Sequence, residues 1–497
     1  MTVTHDPRFF AAADLGASSG RVILGELADG RMTLREVARW ENGPIDASAD
    51  TLRWNTPKLF DEVAAGFRAA YDASGGRLES VAVDTWGVDY GRIGQDGELV
   101  ELPFHYRDSR TDGMIEAVFA QVPAEQLYAE AGLQVQPFNT IFQLAAQAGD
   151  DRWGDVETIL LTPDLLGYWL TGRRWAEVTI ASTTGLLDTA GRQWSASTCA
   201  ALAEKFGLPL PRVLPELVEP GTVVGEVKPE LVPGGVKVVA VGAHDTASAV
   251  VTVPAEVPDF AFISSGTWSL VGLELPAPVL TPESEAANFT NELGVDGTTR
   301  FLKNVMGLWV LIECRREWAE ASGERLGWDE MIALAAAAEP LAAVIDMEDE
   351  RLLPPGDMEA RVRALAAERG QVVGEGQGAV IRCILDSLAL SYRKAIAEAS
   401  RVADRAVSVV HVVGGGSANT LLCQLTADAT GLPVVAGPTE GTALGNLLVQ
   451  ARAMGALSGG LSDLRVVARA SSELQTYAPG ALGIDAAAWD EAAARLV

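Results

Sequence analysis

DLGASSGR, Asp14 to Arg21, and SSGTW, Ser264 to Trp268, are the two stretches whose reading decides the fold. Each follows a strand-like apolar run (Phe9 to Ala13, Phe260 to Ile263) and precedes another (Val22 to Leu27, Leu270 to Leu273), so both are expected as tight β-turns. Small residues at such turns let a phosphate approach the backbone. One turn of this kind occurs in ordinary hairpins, but a pair, one in each half of the chain, points to two related half-molecules closing on one nucleotide.

The chain has 497 residues, enough for two or three domains with separate cores. Its 48% hydrophobic and 21% charged content is that of a globular protein. A net charge of −29, from 67 acidic against 38 basic residues, would repel a nucleic-acid backbone or an anionic membrane surface, so neither is expected as a partner. A small, weakly charged or metal-complexed ligand fits better. The start, MTVTHDPRFF, shows no basic region followed by an apolar run, and the alanine-rich Ile332 to Ile345 is broken by Glu339 and Pro340. Cys199, Cys314, Cys383 and Cys423 are far apart and form no CxxC, which argues against a metal knuckle or a disulfide scaffold and for a reducing cytoplasm.

Strand-like runs at Val81 to Val83, Val236 to Val241 and Val407 to Val413 alternate with helical periodicity, as in α/β folds with central sheets. Leu127 to Gly149 and Thr162 to Leu170 are expected helices, Asp96-Gly97 a hairpin turn, and Ser417 or Asn419 the cap of a helix ending near Gly431. Val253 to Asp259, with two prolines and two acids, is the expected linker. It divides the chain into domains 1–252 and 253–497.

Several residues in these stretches carry chemistry. Asp14 ends a strand just before the first glycine turn, where a carboxylate can hold Mg²⁺ or its water against nucleotide phosphates, or simply cap the turn. Neither turn has the Walker spacing, and no GxGxxG is present. VKVVAVGAHDTAS, Val236 to Ser248, exposes His244, Asp245 and Thr246 after a buried strand, where open α/β sheets place ligand groups. Asp245 can take the proton of an attacking hydroxyl, or act only as a helix cap. Asp84, Trp86, Gly87 and Asp89 form a second polar and aromatic cluster, with Trp86 either a wall for a sugar or part of the core. Asn304 lies in an apolar setting and needs a partner if buried. Gly414 to Gly416 would let an adenine or ribose lie close to backbone, or mark a flexible strand exit.

DLGASSGR, DTWGVDYG, LPFHYRDSRT, GAHDTASAV, SSGTWSL, FLKNVMGLW, HVVGGGSANT and TEGTALGN together resemble the FGGY carbohydrate kinases over nearly the whole chain. The DTWGVD and KNVMGLW stretches look like the members acting on L-rhamnulose rather than on glycerol or xylulose. The resemblance implies two RNase H-like domains of the actin and hexokinase type, with ATP and sugar in a central cleft. It implies that Ala17, Ser18, Ser19, Gly20 and Arg21 contact ATP phosphates, that Thr267 does so from the other domain, and that Gly414 and Gly415 border the adenosine. Gly87, His244, Asp245, Thr246 and Asn304 would hold the ketose, with Asp245 as general base. ATP and Mg²⁺ are the implied cofactors, a small ketose the partner, and a cytoplasmic monomer or homodimer the form. Ile312 stands where similar kinases carry a nucleotide-contacting Gln, and an apolar side chain cannot replace that amide. Kinases for L-fuculose, L-ribulose or D-xylulose, and a non-catalytic ATP-gated sugar-binding protein, are the alternatives.

Overall fold

A computed structural model describes residues 6–48 and 51–496. The chain forms two compact units. Unit 1 comprises the residues up to Thr252 together with Leu275–Phe301 and Gly441–Ser471; unit 2 comprises Val253–Glu274, Leu302–Glu440 and Ser472–Val497. The change of unit at Thr252/Val253 falls at the start of the Pro- and acid-containing segment, but neither unit is contiguous in sequence.

Unit 1 is built on a six-stranded sheet. Its strands are β1 (Arg8–Leu15), β2 (Ser19–Ala28), β3 (Arg31–Glu41), β4 (Leu78–Thr85), β5 (Val223–Glu226) and β6 (Lys237–Val239), in the order β5-β6-β4-β1-β2-β3. β1 runs antiparallel to β2 and parallel to β4, and β4 runs parallel to β6. The all-apolar run of β1 follows from burial on both faces. Phe9, Ala11, Ala13 and Leu15 pack on one side with Leu59, Val63 and Phe67 of α1 (Thr56–Ala73). Phe10 and Ala12 pack on the other with Leu444, Leu447 and Leu448 of a late helix, Gly441–Ala453. That helix presses so closely on the short helix α2 (Asp245–Val251) that a Cβ at Gly445 would lie 1.8 Å from the Ser248 carbonyl oxygen, so only glycine fits there.

Unit 2 repeats the plan. β7 (Phe260–Ser265), β8 (Trp268–Leu275), β9 (Thr299–Met306), β10 (Val409–Val413), β11 (Val434–Ala436) and β12 (Gln475–Tyr477) neighbour one another in the order β9-β8-β7-β10-β11-β12. As in unit 1, the first two strands form an antiparallel hairpin and the first pairs in parallel with a strand much later in sequence. The expected helix cap at Asn419 is present: its Oδ1 accepts the Leu422 amide at 3.0 Å, and Gly431 closes the helix Thr420–Thr430.

One expected helix is corrected. Leu127 to Gly149 is two helices, Ala124–Ala131 and Thr140–Ala146, because Gly132 ends the first in a left-handed conformation (φ +57°). Pro137 lies in the segment between them. All four cysteines are buried free thiols. Among the described residues no helix is long and apolar enough to cross a membrane.

Candidate active site

In unit 1 the parallel register brings three strand ends side by side. Asp14 of β1 pairs with Asp84 of β4, and Thr85 bridges to His244, the residue before Asp245. Arg21, opposite Asp14 on β2, donates to Asp14 Oδ2 from Nε at 3.1 Å and from Nη2 at 2.7 Å. The turn between them is pinned from outside. Gly16 N–H reaches the Ser19 carbonyl at 2.9 Å, while Asn42 bonds the Ser18 carbonyl through its amide N–H at 3.0 Å and the Gly16 carbonyl through Nδ2 at 2.8 Å. Ser18 at the tip is exposed and Gly20 at the base is buried.

Two of these carboxyls, Asp84 and Asp245, are shifted by their surroundings. Burial pushes the Asp84 carboxyl well above the usual range, and the charges of Asp14 and Asp245 push the same way. Asn446 Nδ2 donates to Asp84 Oδ2 at 2.6 Å and partly opposes the rise, while Asp84 Oδ1 is buried without a hydrogen-bond partner. Burial also raises Asp245, opposed by His244 and reinforced by Asp14. Asp245 nonetheless keeps 32% of its side-chain surface open, so a ligand can reach it, and Thr246 Oγ1 donates to its Oδ1 at 3.1 Å.

This all-oxygen donor set fits Mg²⁺, and the orphaned Oδ1 of Asp84 is the clearest sign of it. Among the described residues no three acids, histidines or cysteines lie at direct-ligand spacing. Asp14 and Asp84 are the carboxylates that would hold such an ion, which takes one or two carboxylates, keeps most of its waters and binds phosphate oxygens.

His244 is gripped from two sides. Its Nδ1 lies 2.9 Å from Glu292 Oε2, and its Nε2 lies 3.6 Å from Asp245 Oδ1. Its backbone N–H donates to Thr179 Oγ1 at 3.3 Å, and that hydroxyl donates in turn to the buried Glu177. Glu177 also accepts the Ala243 amide at 3.1 Å, and burial raises its carboxyl to about 7.

Gly87 sits half-buried in the same unit, and the next amide, Val88 N–H, donates to Thr183 Oγ1 at 3.1 Å. Trp86 proves to be core rather than wall: it is 8% exposed, its ring centroid lies 4.2 Å from that of Trp54, and both indoles donate to Asp89 Oδ2.

In unit 2 the turn Ser265 to Thr267 lies next to the glycine run, since Ser264 pairs with Val413 of β10. Gly414 has φ +85°, and a Cβ at Gly416 would stand 1.9 Å from Ser265 Oγ, so this contact requires a residue without a side chain. Leu308 and Trp309 amides donate to the Gly266 and Thr267 carbonyls at 3.1 and 3.0 Å. Gly415 is exposed, Thr267 and Gly414 are half-buried, and Asn304 is half-buried on β9. Ile312 lies half-buried in the helix Trp309–Ser322.

The anticipated residues thus divide by unit. Asp14, Ala17 to Arg21, Gly87, His244, Asp245 and Thr246 belong to unit 1; Thr267, Asn304, Gly414 and Gly415 belong to unit 2. Sequence reasoning missed Asn446, Glu177, Glu292 and Arg300 and gave Asp84 no role among the acids. Asn446 lay in the quoted TEGTALGN stretch, whereas nothing local marks Glu177, Glu292 or Arg300.

Sequence models of the N-terminal and C-terminal domains of the FGGY family of carbohydrate kinases match residues 9–252 and 261–454. The rhamnulokinase of Bacteroides thetaiotaomicron is 39% identical over 492 residues, 97% of this chain and 97% of that protein. The rhamnulokinase of Pectobacterium carotovorum subsp. carotovorum is 40% identical over 484 residues, 96% of this chain and 94% of that protein. Among solved structures, the gluconate kinase from Lactobacillus acidophilus matches the fold with a TM-score of 0.78 at 15% identity, covering 98% of this chain and 96% of that one. The chain belongs to the FGGY family of carbohydrate kinases. Its two-domain α/β architecture is that of the family's sugar kinases.

Proposed function

We propose that this kinase transfers the γ-phosphoryl group of ATP to the 1-hydroxyl of L-rhamnulose, giving L-rhamnulose 1-phosphate and ADP. The observation that carries the reading is Asp245, an accessible carboxylate at the mouth of a buried strand end, its carboxyl raised by its surroundings and flanked by His244 and Thr246. Near-full-length likeness to rhamnulokinases favours L-rhamnulose over other ketoses.

Asp245 orients the attacking hydroxyl and accepts its proton as the new P–O bond forms and the bond to ADP breaks. A raised carboxyl is a better base than a free one, yet still a weak base at neutral pH. Most of the acceleration therefore comes from positioning and charge neutralisation. Gly87, His244, Thr246 and Asn304 hold the ketose. Ala17, Ser18, Ser19, Gly20, Arg21 and Thr267 face the phosphates, and Gly414 and Gly415 lie against the adenosine. When bound near Asp14 and Asp84, Mg²⁺ would supply neutralisation of the phosphate charge. Domains 1–252 and 253–497 are the proposed evolutionary halves, and a cytoplasmic monomer or homodimer is the proposed form, in keeping with four free thiols.

The test is an ADP-release assay with ATP and Mg²⁺ across L-rhamnulose, L-fuculose, L-ribulose and D-xylulose. L-rhamnulose should give the highest kcat/KM, with the phosphate on the 1-hydroxyl by NMR. A higher kcat/KM for another ketose overturns the substrate, and no ketose-dependent ADP release overturns the reaction.

A further inference from the structure

Leu275–Phe301 follows the first two strands of unit 2 in sequence but belongs to unit 1. It brings with it a buried ion pair. Arg300 is 0% and Glu292 4% exposed, and Arg300 Nη1 lies 2.9 Å from Glu292 Oε2. Arg300 Nε and Nη2 also donate to the Leu293 carbonyl at 3.2 and 3.0 Å, which holds the guanidinium rigidly. Glu292 Oε2 is in turn 2.9 Å from His244 Nδ1, and Arg300 Nη1 is 3.2 Å from the same nitrogen.

Two buried charges cost several kcal/mol to desolvate, and an apolar pair of similar volume is commonly as stable. Stability alone is thus a poor reason for this pair. Its geometry supplies a better one. With a carboxylate and a guanidinium at one imidazole nitrogen, Nδ1 either donates to Glu292 or accepts from Arg300, and in both cases this edge of the ring is held against the ion pair. Nε2 then faces Asp245 Oδ1 at 3.6 Å. A ring free to flip would present either nitrogen to the ketose and to Asp245.

We infer that Glu292, held by Arg300, is a positioning residue that fixes the direction of the His244 ring and thereby the aim of Asp245 at the ketose hydroxyl. The inference rests on the kinase reading given above, and it assigns to Leu275–Phe301 the task of bracing the ketose side of unit 1.

The experiment is Glu292→Gln in the full-length chain, compared with Glu292→Asp, with the parent's thermal unfolding and circular dichroism as the folding control. In the folded Gln variant kcat should fall about 10- to 100-fold, as for loss of orientation, while the KM for ATP stays within about twofold. The Asp variant, which keeps the charge, should recover part of the loss. On a His244→Asn background Glu292→Gln should cost nothing further, because its effect passes through the missing ring. In ¹⁵N-histidine spectra, the ring signals assigned to His244 by their loss in His244→Asn should move in the Gln variant, because the group facing Nδ1 has changed. If the Gln variant fails to fold, Glu292→Leu combined with Arg300→Met removes both charges and should fold with the same kinetic defect. A folded variant with kcat within about twofold of the parent, or a cost that adds in full to His244→Asn, overturns the inference. So does an unchanged histidine spectrum. If the parent phosphorylates no ketose, the kinase reading fails and the histidine spectrum alone decides the positioning claim.

Discussion

The hairpin of β1 and β2 and the hairpin of β7 and β8 occupy the same place in their sheets, each pairing in parallel with a later strand, yet they end in opposite chemistry. In unit 1 the ends of β1 and β4 carry Asp14 and Asp84, with Asp245 beyond the neighbouring strand, and burial together with the neighbouring acids raises the carboxyls of Asp84 and Asp245. In unit 2 the matching positions hold Ser264, Val413 and the glycines that follow, which pack tightly against Ser265. The same hairpin arrangement thus ends in carboxylates in one unit and in small residues and glycines in the other.

Removing the base should break the acidic side most severely. Asp245→Asn should lower kcat about 10²- to 10⁴-fold in a folded protein, the range for lost general-base help, and steady-state kinetics with ATP and L-rhamnulose will show it. Turnover near the parent's would refute proton acceptance by Asp245.

Next in size is a pH effect on stability. Burial raises Asp89 to about 6, against hydrogen bonds from the Trp54 and Trp86 indoles and from Gln143. Its folded pKa lies above the unfolded one, so its contribution is fully present below about pH 4 and is lost as pH rises through about 6. The parent should lose about 3 kcal/mol over that window that Asp89→Asn, which cannot titrate, does not lose. Urea unfolding of both proteins from pH 4 to 8 measures the gap, and a gap constant with pH contradicts the assignment.

Gly416→Ala probes the other hairpin. The new methyl must displace Ser265, at about 1 to 3 kcal/mol for overpacking, and should raise the KM for ATP; Ser265→Gly should restore both. Failure of that rescue would mean that the turn and the glycine run do not act together.

The smallest effect is expected from Ile312→Gln, which restores the amide implied by the family resemblance. A net gain of about 1 kcal/mol, several-fold in ATP affinity by calorimetry, is the expected scale for one hydrogen bond. No change would leave the site at Ile312 without a nucleotide role.

How much could be read in advance follows from how local each determinant is. The two hairpins, the Asn419 cap and the strand-end position of Asp245 depend on neighbours within a few residues, so their patterns were visible. The break at Gly132 was also local, but the apolar periodicity continues across it and masked the left-handed turn. Asn446 reaches Asp84 from 362 residues away, and Arg300 reaches His244 from 56 away, and no spacing rule links such pairs.

The sequence by itself determined the paired strand-turn-strand plan, the acid at each critical strand end and the family, because turn chemistry and apolar runs act over short stretches of chain. Only the tertiary structure decided that Leu275–Phe301 and Gly441–Ser471 belong with the first unit, that three carboxylates share one edge, and that Glu292 and Arg300 meet His244. Register between strands and the packing of distant helices are set by the summed burial of many residues, and that sum is not written at any one position.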